Sequence, residues 1–352
     1  MERSLDAPQA GRPATLEDVA RVAGVSRATV SRVINGSSTV DTELRRKVEE
    51  AIEATRYAPN HAARALVTRR TNSMALVVSE RERRAVAAPF VGRMFTDPHF
   101  GRVISGLMEV LRPAGIQTVL MLADDETSRG QVVSYLRQGH VDGVVLMSSH
   151  PTDPLPRLVA DTRLPAVLAG RPGQASSLPY VEVDHRSGVQ LAADLLVSQG
   201  RRRIGTVAGP QDMPAAQERL EGFRGALAAH GLATPPWTEG DFTRAGGASA
   251  MRQLLTDHPD LDGVFVASDL MALGAVPVLL REGRRVPQDV AVIGFDDSEA
   301  AEACEPTLTT VRQPVEEMAA EMARLLLRQI EQPGVLPPSL VFRPSLVIRE
   351  ST

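Results

Sequence analysis

The chain has 352 residues, 43% apolar and 23% charged, a balance that suits a globular protein of about two to three domains and excludes a disordered or fibrous chain. No apolar run is long enough to span a membrane, the single Cys304 excludes an internal disulfide, and the formal net charge of −4 by itself argues against a nucleic-acid partner. The charge is uneven, however: residues 1–70 hold 12 Arg/Lys against 9 Asp/Glu and the remainder 27 against 34, the polarity of a basic head on an acidic body.

The opening residues MERSLDAPQAGRPA carry no apolar stretch of the signal-peptide kind. Residues 1–14 are therefore expected to be a disordered tail on a cytoplasmic protein. Thr15 with Asp18 three residues later has the form of a capping box, and Leu16, Val19, Ala20 and Val22 recur at helical spacing. Gly24 stops this helix, Val25 plugs the corner, and Ser26 can cap a second helix that buries Val30, Val33 and Ile34. Two helices joined by so tight a turn must cross steeply, which predicts a helix-turn-helix, with an ordinary helical hairpin as the alternative. The outward face of the second helix carries Arg27, Ala28, Thr29, Ser31 and Arg32. These are short or cationic side chains that fit a major groove. A third helix is predicted over 42–55, with Leu44, Val48, Ala51 and Ile52 on one face. Pro59 then breaks the pattern, and NHAARALVTRRT (60–71) is helix-capable but too short to be helical alone in water. It is expected to act as a hinge that orders only when held.

From Ser73 the pattern becomes strands alternating with amphipathic helices. MALVV (74–78), TVLML (118–122), GVVLM (143–147) and PAVLA (165–169) predict buried parallel strands, with a further strand at 180–183 and helices near 98–112, 128–139, 153–161 and 185–199. The rhythm repeats, with strands at 203–209, 263–268 and 290–295 and helices near 215–230, 244–256 and 269–283. A helix over 315–330 and a strand near 339–348 close the chain. The expectation is two doubly wound α/β subdomains with a cleft between them.

Through LEDVARVAGVSRATVSRVING and YAPNHAARALVTRRT the chain resembles the lactose-repressor (LacI/GalR) family of bacterial transcription regulators. DPHFGRVISGL, HVDGVVLM, RLEGFRGAL, SDLMALGA, VIGFDDSE and LTTVRQP extend the likeness through the body, which resembles the periplasmic sugar-binding fold. The resemblance implies an all-α helix-turn-helix head over 15–59, a hinge helix over 60–71, and a periplasmic-binding-protein-like core over 72–352. That core would divide into an N-subdomain of about 72–200 plus 313–341 and a C-subdomain of about 201–312 plus 342–352. It implies that the helix starting at Ser26 lies in the major groove, with Arg27 and Ala28 setting operator choice and Arg32 contacting bases or phosphates. Thr15, Thr29, Ser31 and Asn35 complete the expected DNA contacts of the head. Paired hinge helices would enter the minor groove with Asn60, Ala63 and Val67 lining it and Leu66 wedged into the central step. Carried over by position, Arg219 and Asp296 are the leading effector ligands, followed by Asp269, His99, Phe100, Arg171 and Phe242, with the two aromatics available to a sugar face.

Two departures stand out. Ser268 occupies a place where sugar-binding relatives often have asparagine, and ERERRAVAAPFVGRM (80–94) is longer and more basic than the usual first connection. No phosphate-binding loop, zinc signature or dinucleotide fingerprint is present, the histidines lack ligand spacing, and Asp296 and Asp297 are adjacent rather than opposed. No enzyme, cofactor or metal is expected. The reading is a DNA-binding regulator, a repressor acting as a dimer on a pseudo-palindromic operator, with no membrane partner and no trailing leucine heptads for tetramer formation. Its effector is expected to be a sugar or short saccharide, with a nucleoside or purine as the alternative. The competing reading is a small-molecule binding protein without DNA function, which the head opposes.

Overall fold

The computed structural model describes residues 14–34, 39–57, 70–80, 94–148 and 150–352. It comprises two compact units, 1–71 and 72–352. The expectations for the tail, Asn35, the hinge residues Asn60, Ala63, Leu66 and Val67, and most of the 80–94 connection fall outside the described residues.

In the first unit, α1 (Leu16–Ala23) starts at a reciprocal cap: Thr15 Oγ1 accepts from Asp18 N, and Asp18 Oδ2 accepts from Thr15 N at 2.9 Å. Two first-turn donors are thereby satisfied. Gly24 ends the helix at φ 66°, a left-handed position where a side chain is strained, and its N–H bonds to Ala20 O. Helix α2 (Arg27–Ile34) follows after one turn, with Ser26 Oγ accepting from Thr29 N. Helix α3 (Thr42–Thr55) starts under Asp41, which caps Glu43 N and Leu44 N. Val19, Ala20, Val30, Val33, Val48 and Ala51 form the core of this unit. Two expected core residues face out: Val22 is 53% exposed and Leu44 also lies at the surface. The apolar stripe of α1 runs through Leu16, Val19, Ala20 and Ala23, which puts Val22 beyond its rim.

The second unit holds two six-stranded sheets. The first has the order β11-β5-β4-β3-β1-β2, formed by β1 (Ser73–Ser79), β2 (Gln117–Ala123), β3 (Gly143–Ser148), β4 (Ala166–Ala169), β5 (Tyr180–Val183) and β11 (Leu340–Phe342). The second has the order β12-β10-β9-β8-β6-β7, formed by β6 (Ile204–Ala208), β7 (Trp237–Glu239), β8 (Gly263–Val266), β9 (Ala291–Asp296), β10 (Thr309–Arg312) and β12 (Ser345–Val347). Every pairing is parallel except that of β10 with β12.

The first sheet is covered by α4 (Pro98–Leu111), α5 (Glu126–Arg137), α6 (Leu155–Ala160) and α12 (Val315–Glu331). The second carries α7 (His185–Ser198), α8 (Pro214–Ala229), α9 (Arg244–Asp257), α10 (Asp269–Arg281) and the single turn α11 (Glu299–Glu302). The chain passes between the sheets after β5, after β10 and after β11, as in a two-lobed binding protein with a three-strand hinge.

Three expectations change. The segment 185–200 belongs with the second subdomain, because Val189, Ala192, Ala193 and Leu196 of α7 are buried in the second core. The single strand expected near 339–348 is two short strands in different sheets, interrupted at Pro344, whose fixed φ and missing N–H suit a crossing point. Strand β2 lies at the sheet edge and leaves Leu120 exposed, where continuous apolarity had predicted full burial.

Candidate functional site

A cavity of about 310 Å³ opens between the two subdomains at the carboxyl ends of their strands. Its floor is the end of β9. Asp296 has φ 120° and Asp297 φ 51°, conformations that favour glycine and persist only when their surroundings hold them. Here they are held. Gln313 Nε2 donates to Asp296 Oδ1 at 2.5 Å, Arg102 Nη1 donates to the Asp296 carbonyl at 2.8 Å, and Arg312 and Arg349 both donate to the Asp297 carboxylate.

Arg219, on the inward face of α8, is buried beside this turn but still lines the cavity, with Nη1 3.6 Å from Asp296 Oδ1. Its Nη1 donates to Ala267 O at 2.5 Å and its Nε to His185 Nδ1 at 3.3 Å, while its carbon centre stands 3.8 Å over the Phe295 ring and 6.0 Å from that of Phe242. The guanidinium plane is thus fixed by packing and by donors already engaged. Burial pushes the Asp296 carboxyl upward, and Arg219 opposes that shift without reversing it. Burial lowers Arg219 in turn, against the pull of Asp296. The pair is therefore poorly solvated and suited to exchanging hydrogen bonds with ligand hydroxyls.

Because a guanidinium only donates, His185 Nδ1 must accept, so the ring is the neutral Nε2–H tautomer. Burial, then the charge of Arg219, holds this imidazole well below its ordinary value of 6.5. Its stability contribution is full above that ordinary value and is lost as the pH falls below it. His185→Gln should remove this acid-side loss, seen as a flatter dependence of the melting temperature on pH between about 5 and 7.5.

The remaining expected ligands separate. His99, Phe100, Arg171 and Phe242 line the cavity. Phe100, 4% exposed, is also part of the first core and meets Phe95 edge to face. Arg171 pairs with Glu182 at 3.0 Å. Phe242 sits at φ 62° against Gly209, where a Cβ would come within 2.4 Å of its ring. Asp269 is not in the wall. It is 0% exposed and accepts from Thr310 Oγ1 at 2.6 Å and Ser298 N at 2.8 Å, beneath the floor. Gly294 makes room for it, since a Cβ there would lie 2.3 Å from its Oδ1. Ser268 lines the cavity, but its hydroxyl also caps α10 by accepting from Met271 N.

The sequence reading did not single out His185, Arg102, Glu182 or Gln313. Each stands on or just beyond a strand end or at a helix start facing the cleft, which is the signal that could have found them. Among the described residues no group of three His, Cys, Asp or Glu is placed to hold a metal.

In the head, Ser26, Arg27, Ala28 and Arg32 are exposed along one side of the turn and α2, with Thr15, Thr29 and Ser31 half-buried beside them. Arg27 meets Glu17 at 3.2 Å across a solvated pair.

A helix-turn-helix unit and a two-lobed α/β unit with a largely apolar cleft that holds a few charged groups define a ligand-responsive DNA-binding regulator. The model for the lacI family of bacterial regulatory proteins matches residues 15–60, and that for a periplasmic binding protein-like domain matches 193–352. The chain is 46% identical to the HTH-type transcriptional regulator CelR of Thermobifida fusca over 97% of this chain and 98% of that protein. Among solved structures, a transcriptional regulator CelR–cellobiose complex aligns with a TM-score of 0.74 at 44% identity, over 97% of this chain and 100% of that one. The Lac repressor dimer bound to operator and an anti-inducer aligns with a TM-score of 0.80 at 27% identity, over 97% and 99%. The chain belongs to the lacI family of bacterial regulatory proteins; it is a DNA-binding transcriptional regulator and not an enzyme. No helix among the described residues is long and apolar enough to cross a membrane.

Proposed function

We propose that this cytoplasmic protein represses transcription by binding a pseudo-palindromic operator as a dimer, under the control of a disaccharide of the cellobiose class. The observation that carries the effector half is the Arg219–Asp296 pair, buried at the floor of the cleft on a strained turn. A cavity of about 310 Å³ falls at the small end of ligand sites and suits a short saccharide. Arg219, Asp296, His99, Arg171 and Phe242 would meet the sugar, and the likeness to a CelR–cellobiose complex supports that class of ligand.

The exposed face of α2 would read the major groove, and Asn60, Ala63, Leu66 and Val67 of paired hinges the minor groove. The exposed Leu120 on edge strand β2 gives a second copy something to cover. Effector binding would change the angle between subdomains and hence the spacing of the hinges, a coupling that needs only about 1 to 3 kcal/mol.

The test is footprinting on DNA upstream of the protein's own and neighbouring genes, with and without cellobiose and a sugar and nucleoside panel. A short protected palindrome, released or tightened by cellobiose, is expected. No protected DNA in either condition, with a compound still bound to the core, would leave a binding protein without DNA function. Arg32→Ala should weaken operator binding about 10-fold or more and reduce the salt slope by about 1, with cellobiose affinity within about two-fold. Gel-shift assays and calorimetry read the two quantities separately.

A further inference from the structure

Arg102 stands on α4 of the first subdomain, one turn before Gly106, where a Cβ would lie 2.2 Å from Glu316 O and 2.8 Å from the Cβ of Ala319 on α12. Backbone contact at that crossing sets Arg102 beside the first turn of α12. Its Nε and Nη2 donate to the two carboxylate oxygens of Glu316 at 2.7 and 2.8 Å, a bidentate fork that fixes the guanidinium plane. Two further bonds leave this helix pair. Nη2 donates to Gln313 O at 3.0 Å, on the segment that crosses from β10 to α12, and Nη1 donates to Asp296 O at 2.8 Å, at the end of β9 in the second subdomain. Gln313 closes the loop, since its Nε2 donates to Asp296 Oδ1.

A salt bridge that served only to join α4 and α12 would need neither carbonyl. The carbonyl reached in the second subdomain belongs to the peptide between Asp296 and Asp297, both at positive φ. On its far side that peptide is anchored within the second subdomain, where Arg312 and Arg349 hold the Asp297 carboxylate. The two subdomains therefore grip one peptide, and the carboxylate beside it is the one that faces Arg219 in the cleft.

We propose that Arg102 is a positioning residue, a strap from the first subdomain that holds the turn at Asp296 and ties the angle between the subdomains to the state of the sugar-binding carboxylate. A rotation that carries α4 away from β9 must stretch the Arg102 bond or turn the Asp296 peptide. A ligand that fixes the Asp296 carboxylate therefore favours one angle over the others. The part played by sugar rests on reading the cleft as the effector site; the strap itself rests on the four bonds of Arg102.

The test uses the full chain with spin labels at Q131C and Q253C, exposed positions on α5 and α9 in the two subdomains. Cys304 will not compete, because burial pushes its thiol up to about 12. The variants are R102K, which keeps the charge but replaces the fork with a point donor, and R102Q. Without sugar, the distribution of distances between the labels should be narrow in the parent and broader in both variants, with thermal melts showing each protein folded. Saturating cellobiose should change operator affinity about 10-fold or more in the parent and about three-fold or less in the variants. A purely structural salt bridge would lower the melting temperature and leave both quantities as they are in the parent. An unchanged distance distribution in both variants overturns the strap, and a loss of sugar affinity on top of it would make Arg102 a ligand contact instead. A full operator response to bound sugar in both variants overturns it as well. If cellobiose fails to bind the parent, the disaccharide reading falls, and the sugar-free distances still decide the strap.

Discussion

Arg219→Ala should lower cellobiose affinity by about 100-fold while operator affinity in the absence of sugar stays within about three-fold. Hydrogen bonds from a charged group contribute about 1.5 to 3 kcal/mol each, so losing one or two ligand contacts reaches that size. The variant also strands Asp296, and an unpaired buried charge ordinarily costs about 3 to 5 kcal/mol. Here the penalty should be smaller, because burial already raises the Asp296 carboxyl and Arg219 is what chiefly opposes that rise. With the arginine gone the acid takes up a proton instead of remaining charged. The double variant Arg219→Ala with Asp296→Asn should therefore melt no lower than Arg219→Ala alone, while binding no sugar. Calorimetry for the sugar, gel shift for DNA and thermal melts for folding are read on the same preparations. Lost DNA binding in a well-folded Arg219→Ala protein would break the separation of the two sites.

How far the sequence discloses this protein depends on whether a residue acts through local pattern or through distant partners. The head is legible because its determinants are local: Thr15 and Asp18 cap each other within one turn, and Gly24 takes the left-handed position that ends α1. Asp296 is legible as the acid that terminates a buried apolar run. Asp269 has the same appearance, an acid beginning a helix after a strand, yet it turns under the floor to Thr310 and Ser298. Only the fold separates those two aspartates, because their partners are 29 and 41 residues away for Asp269. His185 escaped for a similar reason. Its role is set by Arg219, 34 residues on, and a lone histidine at a helix start carries no periodic signal. The resemblance implies that the segment 185–200 belongs to the first subdomain, whereas its apolar face packs in the second core.

Two glycines with similar helical settings should give opposite results. In α8, Gly225 is exposed and a Cβ there would meet nothing within 4 Å. Gly225→Ala should stabilise the core by about 0.5 to 1 kcal/mol, because alanine loses less backbone freedom on entering a helix. In α10, a Cβ on Gly274 would lie 1.9 Å from Arg244 O and 3.0 Å from Ala248 N. Gly247 of α9 answers from the other side, 2.2 Å from Met271 O. All of these are backbone atoms, so no side chain can swing aside and the two helices must separate. Gly274→Ala should therefore cost about 3 kcal/mol, at the upper end for overpacking, and lower the melting temperature by roughly 8 °C. The damage should also reach the cleft. Helix α10 begins with Ser268 in the cavity wall and Asp269 under Ser298 and Thr310, so a shift of its axis moves the floor on which Asp296 is held. Cellobiose affinity should fall in Gly274→Ala and stay unchanged in Gly225→Ala. Equal melting temperatures for the two variants would show that α9 and α10 do not meet at backbone contact, and the close crossing that supports the floor would have to be abandoned.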